Sequence, residues 1–344
     1  MKKNLRNRLL ALAAVSVSSI MLLSGFDSSM TVEDIMAKAQ EANASLTEFS
    51  AHAVANGDIQ LDVSASGQTQ SMPMTGNMDM DLQYTFDPIE YSAIGTMSGD
   101  ASAMGMAGEA AMEMYMVNAD DGGLMMYVKV SGMGEDEGWQ AVEVPAESAQ
   151  MMNDLMAKSL AGDYSAIEES LGIDVKALQD EFFSKAVLAP EAVNVEGKDC
   201  YEVTLTLTGE DIGSLLTKLS EAKPELVDPN TVQMIQMFTG ALQVNVVEDI
   251  DVETFRPVYA GFDLAGSDFS MISQLIASMM FSSTSSGDEA ETPEINLTVN
   301  DLSMKINYDY ESPVSIEVPE EALGADVTEV DPEALAGAAV DPAA

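Results

Sequence analysis

Few residues in this chain of 344 residues could act as a nucleophile, a general base or a soft metal ligand. His52 is the single histidine, which excludes serine or cysteine triads and zinc sites with several histidine ligands. Cys200 is the single cysteine, so no intramolecular disulfide can form. Lys198 is the one basic neighbour in sequence that could activate its thiol. We therefore predict a solvated or capping His52, an inert Cys200 at the start of a strand, and no catalytic residue.

Carboxylates are too abundant to mark a site by their spacing. The chain has 58 Asp and Glu residues, so paired acids of the kind that glycosidases use are expected by chance. Residues 118–122 faintly resemble a calcium-binding loop, but Lys129 stands where such a loop places its bidentate glutamate. The sequence therefore predicts a turn at this point, no metal site and no cofactor.

The 26 methionines are the unusual feature of the composition, and three interpretations compete. Methionine could replace Leu and Ile as a filler of the core, or line a pliable cavity for apolar ligands. Alternatively, the Met-x-Met pairs could bind Cu(I), which favours thioether ligands. Alternate methionines also follow simply from the period of a strand. Without histidine or thiol nearby, the copper interpretation is the weakest of the three.

The formal net charge of −44 limits the partners of this chain. Phosphate groups would be repelled, which argues against nucleic acid and anionic membrane surfaces. A basic surface protein remains compatible with this charge. Arg256 is the sole arginine after the N-terminal segment, and we expect it to pair with a surface carboxylate.

The N-terminus has the pattern of an export signal, predicted over residues 1–25. Four basic residues precede an apolar stretch at residues 9–23. Leu23-Ser24-Gly25 then resembles a bacterial lipobox, but Phe26 occupies the position of the cysteine that is lipidated. An ordinary signal peptide is the alternative. We expect an exported protein of the extracellular space or cell envelope, anchored only if position 26 is cysteine in the native protein, with no later transmembrane segment.

Periodicity predicts a mixture of helices and one-sided strands. Capping boxes at Thr31 and Thr208 predict two helix starts. Further helices are predicted around residues 152–160, 232–238 and 269–280, and a linker at residues 282–292. Strands are predicted at residues 59–63, 77–86, 112–116, 124–130, 139–144, 187–195, 201–207, 242–247, 255–264 and 295–308, with a bulge near Asn300 and Asp301, where the apolar phase slips.

Strands that are apolar on one face only predict an antiparallel sheet whose other face meets solvent. Amphipathic helices would cover the apolar face. The expected fold is α+β: a curved antiparallel sheet, or open half-barrel, covered on its concave face by amphipathic helices. One domain is predicted over residues 26–319, closed by the apolar residues of 314–318. Residues 320–344 are acidic and rich in alanine, and are predicted to form a disordered tail.

Three segments, residues 31–35, 195–204 and 307–319, resemble the LolA/LppX-like superfamily of bacterial lipoprotein and lipid carriers, most closely its uncharacterised members. The resemblance brackets nearly the whole predicted domain. It implies a strongly curved sheet closed by helices, with an apolar cavity between them that holds acyl chains.

We therefore predict an exported, non-enzymatic binding protein that carries or senses a lipid or acyl ligand. The alternative is a cell-surface interaction module without a small-molecule ligand. The residues expected to line the cavity are Met80, Leu82, Met112, Met114, Met116, Met126, Ile35, Leu155 and Ile276.

Overall fold

A computed structural model of the protein describes residues 31–65, 68–102, 106–132, 138–165, 168, 172–224, 232–233, 236, 240–271, 273 and 294–329. The predicted signal peptide, Phe26, Ile276 and the predicted linker at 282–292 lie outside these residues, as do most of the helices predicted at 232–238 and 269–280.

Thirteen described strands form one sheet. Their bounds are β1 Glu48–Ala65, β2 Gln68–Phe86, β3 Ile89–Ala101, β4 Met106–Asn118, β5 Leu124–Ser131, β6 Gln140–Val144, β7 Val187–Leu188, β8 Val193–Val195, β9 Lys198–Thr208, β10 Gln243–Asp251, β11 Pro257–Asp263, β12 Glu294–Asp309 and β13 Val327–Glu329.

Five helices are described in full: α1 Val32–Asn43, α2 Ala146–Leu160, α3 Val175–Phe183, α4 Gly209–Ala222 and α5 Glu320–Leu323. Both predicted capping boxes are confirmed. Thr31 caps α1 reciprocally with Asp34, and Thr208 caps α4 in the same way with Asp211. Each box satisfies backbone N–H groups that have no partner inside the helix.

The sheet is open and mostly antiparallel. Its strand order is β13-β6-β5-β4-β3-β2-β1-β12-β11-β10-β9-β7, with β8 pairing β9 at the far edge. Only β13 pairs in parallel among the described strands, along β6. The α+β class and the large unclosed antiparallel sheet are thereby confirmed.

The long strands differ on their two faces. One face, here called the inner face, carries apolar residues such as Ala53, Met80 and Met112, which lie side by side in the register. The opposite, outer face carries His52, whose Nδ1 lies 2.9 Å from Oδ1 of Asp81. Burial of the inner face supplies the apolar stabilisation of the sheet.

The predicted bulge is confirmed at the junction of β1 and β12. Asp58 pairs with Asp301 and the next residue, Ile59, pairs with Val299, so Asn300 has no register partner. One extra residue restores the inward direction of the apolar side chains on both sides of the bulge.

The C-terminal segment differs from its prediction as a disordered tail. Residues 320–329 contain α5 and β13, while residues 330–344 lie outside the described part. The physical reason is a set of apolar contacts on the outer face, where Ala322 packs against Tyr115 and Tyr127. Ile316 and Val318 join this cluster.

Candidate functional site

The inner face carries a methionine cluster on β2, β4 and β5. Met80 and Met114 are each 6% exposed and pack together with Ala93. Half-buried side chains surround them: Leu82, Met112, Met126, Met78, Tyr91 and Val128. Met116 contacts Leu124 and Ala149 beside this cluster. The structure thus brings six of the nine predicted lining residues, those on strands, to one face.

A band without side chains crosses the inner face beyond the methionines. Gly57, Gly76, Gly99 and Gly108 are register partners on four adjacent strands. A Cβ built at Gly108 would meet no atom within 4 Å, and the nearest atoms at Gly76 and Gly99 are backbone oxygens at 3.8 and 3.7 Å. At Gly57 the nearest atom is Cδ1 of Leu302 at 3.7 Å, so the band is a shallow depression that is free of side chains at Gly76, Gly99 and Gly108.

The predicted helical lining residues lie in different places. Ile35 is fully buried on α1, and the neighbouring Val32 and Met36 pack against Val203 of β9 and Ile250 of β10. Leu155 of α2 is 39% exposed, whereas Met156 receives a hydrogen bond from the Tyr84 hydroxyl and so joins α2 to the inner face. Helical cover over the whole inner face thus remains a prediction.

Six aromatic rings form a cluster on the inner face between α1 and the methionines. Phe49 stacks on Tyr84 at 5.7 Å between ring centroids, and Tyr308 stacks on Tyr310 at 6.3 Å. Phe49 links the two pairs, with centroids 5.9 Å from Tyr308 and 6.2 Å from Tyr310. Phe86 and Tyr91 complete the cluster.

A small cavity lies beside these rings. Its volume is about 10 Å³ and its lining residues are Asn43, Leu46, Phe49, Pro257, Tyr308 and Tyr310. This is about the volume that one water molecule needs. The cavity is therefore far smaller than an acyl chain.

Glu248 is an unexpected buried acid on the inner face. It lies on β10 between Val203 of β9 and Ala260 of β11, and it is 1% exposed. Neither carboxyl oxygen has a hydrogen-bond partner among the described groups. Burial, with a contribution from the charge of Asp249, raises the pKa of Glu248 well above its ordinary value. Its carboxyl is thus held uncharged over a wider pH range than that of an exposed glutamate.

The carboxyl influences two phenols, Tyr308 on β12, two strands away, and Tyr310 just beyond the end of β12. Burial raises the pKa of Tyr308 and of Tyr310, and the charge of Glu248 raises both pKa values further. Arg256 lies over the Tyr310 ring, with Cζ 5.3 Å from the ring centroid. This contact differs from the predicted pairing of Arg256 with a surface carboxylate, since no ion pair of Arg256 is found among the described residues.

Asp249 follows Glu248 and points to the outer face. It is 6% exposed, and its Oδ1 is buried without a described partner. Burial, and secondly the charge of Glu202, raises the pKa of Asp249 to about 6. Two adjacent acids on opposite faces of one strand are thus both shifted towards the neutral form.

Sequence reasoning missed Glu248, although a signal was available. Glu248 is in phase with Val244, Val246 and Ile250, which face inward on the same strand. An acid that interrupts an apolar strand face is the pattern of a buried functional carboxyl. The apolar residues of this segment predict a strand that ends at Val247, one residue before Glu248.

The other sequence candidates lie apart from this site. Cys200 is fully buried, and burial together with the charges of Asp249 and Asp251 raises the pKa of its thiol to about 11. In the turn before β5, Asp121 accepts a hydrogen bond from the backbone of Gly123. Within the described residues, no group of three or more His, Cys, Asp and Glu side chains is arranged to hold a metal.

A second opening lies where β11 ends and β12 continues. It is a cleft of about 320 Å³ with Asp263, Ser267, Asn300, Asp301, Ser303 and Lys305 among its lining residues. Its lining is mostly polar, so it does not suit an acyl chain. No helix in the described part of the chain is both long and apolar enough to cross a bilayer.

Three solved structures resemble this chain at low sequence identity and low TM-score. LprF from Mycobacterium bovis shares 12% identity over 82% of this chain and 94% of its own, with a TM-score of 0.32. A beta-barrel-like DUF1849 protein from Brucella abortus shares 9% identity over 76% of this chain and 97% of its own, with a TM-score of 0.21. A DUF1329 family protein from Desulfovibrio piger shares 11% identity over 80% of this chain and 93% of its own, with a TM-score of 0.19. At these scores, the similarities assign no function.

No curated protein gives a significant match to the sequence. The LolA/LppX-like resemblance therefore remains a prediction. One family model matches part of the chain. Residues 31–164, which run from α1 to just beyond α2 and include the whole methionine cluster, are similar to a family of unknown function, DUF6612.

Proposed function

We propose that this protein is an exported binding protein that holds the apolar chain of a lipid or acyl ligand against the inner face of its sheet. The observation that carries the proposal is the methionine cluster beside an exposed glycine band. No chemical step by the protein is invoked, because the site offers apolar surface rather than a nucleophile with a base.

The composition of the face suits a ligand of variable shape. Thioether side chains have three rotatable bonds and adapt to irregular apolar surfaces. The glycine band leaves space next to them. Apolar side chains on the same face remain accessible at Val130, Phe262 and Leu302, which are 37, 39 and 37% exposed. Burying each CH₂ of a ligand there would contribute about 0.8 kcal/mol.

The helices are proposed as the cover of the bound chain. α1 and α2 already contact the inner face through Met36 and Met156. Ile35, Leu155 and Ile276 retain their proposed place on the covering side. Rearrangement of such a cover would open the space that the small cavity beside Phe49 lacks.

The test is titration of an environment-sensitive acyl probe into the wild type and into Met114→Trp. A bulky indole in the methionine cluster should occupy ligand space and lower probe affinity about tenfold or more. Circular dichroism would check the fold, because overpacking a buried position costs about 1–3 kcal/mol. If Met114→Trp does not fold, Met112→Trp replaces it, since Met112 is only half-buried.

Ile94→Trp is the matched control. Ile94 lies on β3 within the same sheet, but on the outer face and 43% exposed, so its indole should leave probe binding unchanged. A folded wild type that shows no saturable binding and carries no co-purified lipid would refute the proposal. The alternative of a protein-interaction module would then take its place.

A further inference from the structure

Burying the Glu248 carboxyl lowers the stability of the protein, and the fold does not require an acid at this position. The register neighbours of Glu248 on the inner face are Val203 and Ala260, the buried Ile250 follows on the same face, and neither carboxyl oxygen has a described partner. An unsatisfied buried polar group destabilises a protein, whereas an apolar residue of similar size would pack without that cost. A glutamate at this position therefore suggests a partner that the unliganded protein lacks.

The surroundings of Glu248 favour a cation as that partner. Tyr308 and Tyr310 lie close enough for the carboxyl to raise their pKa values, and both rings line the cavity with Phe49. Aromatic faces attract ammonium groups. The amide of Asn43 also borders this cavity. A net charge of −44 adds a long-range field that attracts cations and repels anionic head groups.

The charged groups around this position are few. The buried side chains of α1 are uncharged: Val32, Ile35, Met36, Ala39 and Asn43. Asp249 neighbours Glu248 on β10 but points to the outer face, and Arg256 lies on the Tyr310 ring. Neither the described ion pairs nor the described hydrogen bonds give Glu248 a cation of the protein itself.

One register row joins Glu248 to the methionine cluster. Glu248 pairs with Ala260, Ala260 with Ile306, Ile306 with Ala53, and Ala53 with Met80. These four strand spacings span about 19 Å. The row between its ends is apolar and contains two alanines, so it offers a straight path for an alkyl chain.

We propose that Glu248 anchors the ammonium head of a cationic amphiphile whose apolar chain lies along this row towards Met80. The inference rests on the proposed function and names its ligand class. The row is buried in the unliganded protein, so binding requires the elements over it to move apart. Because burial raises the pKa of Glu248 above its ordinary value, binding of an ammonium group should release a proton at pH values where the free carboxyl is protonated.

The experiment compares two probes of equal chain length, dodecyltrimethylammonium and dodecanoate, by calorimetry at about 0.15 M salt, where surface charges are screened beyond about 8 Å. Both are kept below their micelle-forming concentrations. The wild type should bind the ammonium probe at least about tenfold more tightly than dodecanoate. Glu248→Gln should remove this preference, and titration in two buffers of different ionisation enthalpy should detect proton release from the wild type alone.

Glu202→Gln is the charge-matched control, since Glu202 lies on the adjacent strand but on the outer face. It should keep the preference and the proton release. If both probes bind and Glu248→Gln leaves their ratio unchanged, the anchor is wrong while the proposed function stands. If neither probe binds saturably to the wild type, both proposals fail. An equal loss of preference in Glu202→Gln would mean that net charge alone selects the cation, which would also overturn the anchor.

Discussion

Replacing Glu248 by glutamine should stabilise the unliganded protein increasingly as the pH rises above about 4.5, the ordinary pKa of this carboxyl. Below that pH the carboxyl is protonated in the folded and the unfolded chain, so it makes no difference between them. Above it, the unfolded chain loses the proton while the folded protein keeps it. The free energy of unfolding of the wild type therefore decreases with pH until the raised pKa of the folded state is passed.

The magnitude follows from the linkage between protonation and folding. One carboxyl that stays protonated only in the folded state costs about 1.4 kcal/mol for each pH unit within that window. Glutamine has nearly the same shape and does not titrate. The stability difference between variant and wild type should therefore be near zero at about pH 4 and grow with this slope.

Asp249→Asn should give a second dependence of the stability difference on pH, over a narrower pH range. The pKa of Asp249 is raised from 3.8 to about 6. Above that raised pKa, the shift lowers the free energy of unfolding by about 3 kcal/mol. Its stabilising effect should begin near pH 4 and level off above pH 6. Glu109→Gln, at an exposed position on β4, controls for the removal of one charge from an acidic protein.

The assay is urea unfolding at a series of pH values, followed by the fluorescence of the single tryptophan, Trp139. Trp139 packs near Tyr115 on the outer face, so the probe is remote from Glu248. A difference between Glu248→Gln and wild type that does not change with pH would refute the reasoning. Destabilisation at every pH would mean that Glu248 is ionised and paired in solution, for example by Arg256.

Three further predictions concern the scaffold. Gly95→Ala should lower the free energy of unfolding by about 1–3 kcal/mol in urea, because its Cβ would lie 2.7 Å from Cα of Met80 and against the carbonyl oxygen of Asp79. Gly99→Ala on the same strand, where the nearest atom is at 3.7 Å, should change it little, and equal effects would contradict this explanation. Leu124→Ala should lower the free energy of unfolding by about 2–5 kcal/mol, since Leu124 is fully buried. Leu323→Ala, at a position 60% exposed, should lower it by less than about 0.5 kcal/mol. Thermal unfolding measures both variants, and a small loss at Leu124 would count against the assigned core. Cys200 should resist a thiol reagent at neutral pH and react fully in denaturant, because it is buried and its pKa is raised to about 11; rapid labelling of the folded protein would disprove this.

Local signals in the sequence predicted much of the fold. Capping boxes located α1 and α4 because they act within four residues. The phase slip at Asn300 located the bulge, since a one-residue shift reverses the face of every following side chain. β3 was missed because Ala93, Gly95 and Gly99 weaken the alternation of apolar and polar residues on this strand.

The remaining features depend on contacts distant in sequence. β13 has three residues, and its pairing with β6 follows from packing of Ala322 against Tyr115 and Tyr127. Composition alone predicted disorder there. The methionine cluster was predicted because each of its strands alternates visibly. The neighbourhood of Glu248 was not, since it combines β9, β10, β11, β12 and α1, which no local pattern connects.

The pairing of β1 with β12 also bears on when the protein can fold. Asn300 donates a hydrogen bond to Asp58, a residue 242 positions earlier in the chain. The central strand β1 can therefore pair with β12 only after nearly the whole polypeptide has been synthesised. Non-local pairing of this kind slows folding and leaves apolar surface transiently exposed. For the exported protein proposed above, this delay would favour passage through a translocation channel in the unfolded state, and the many negative charges would hinder aggregation until β12 is available.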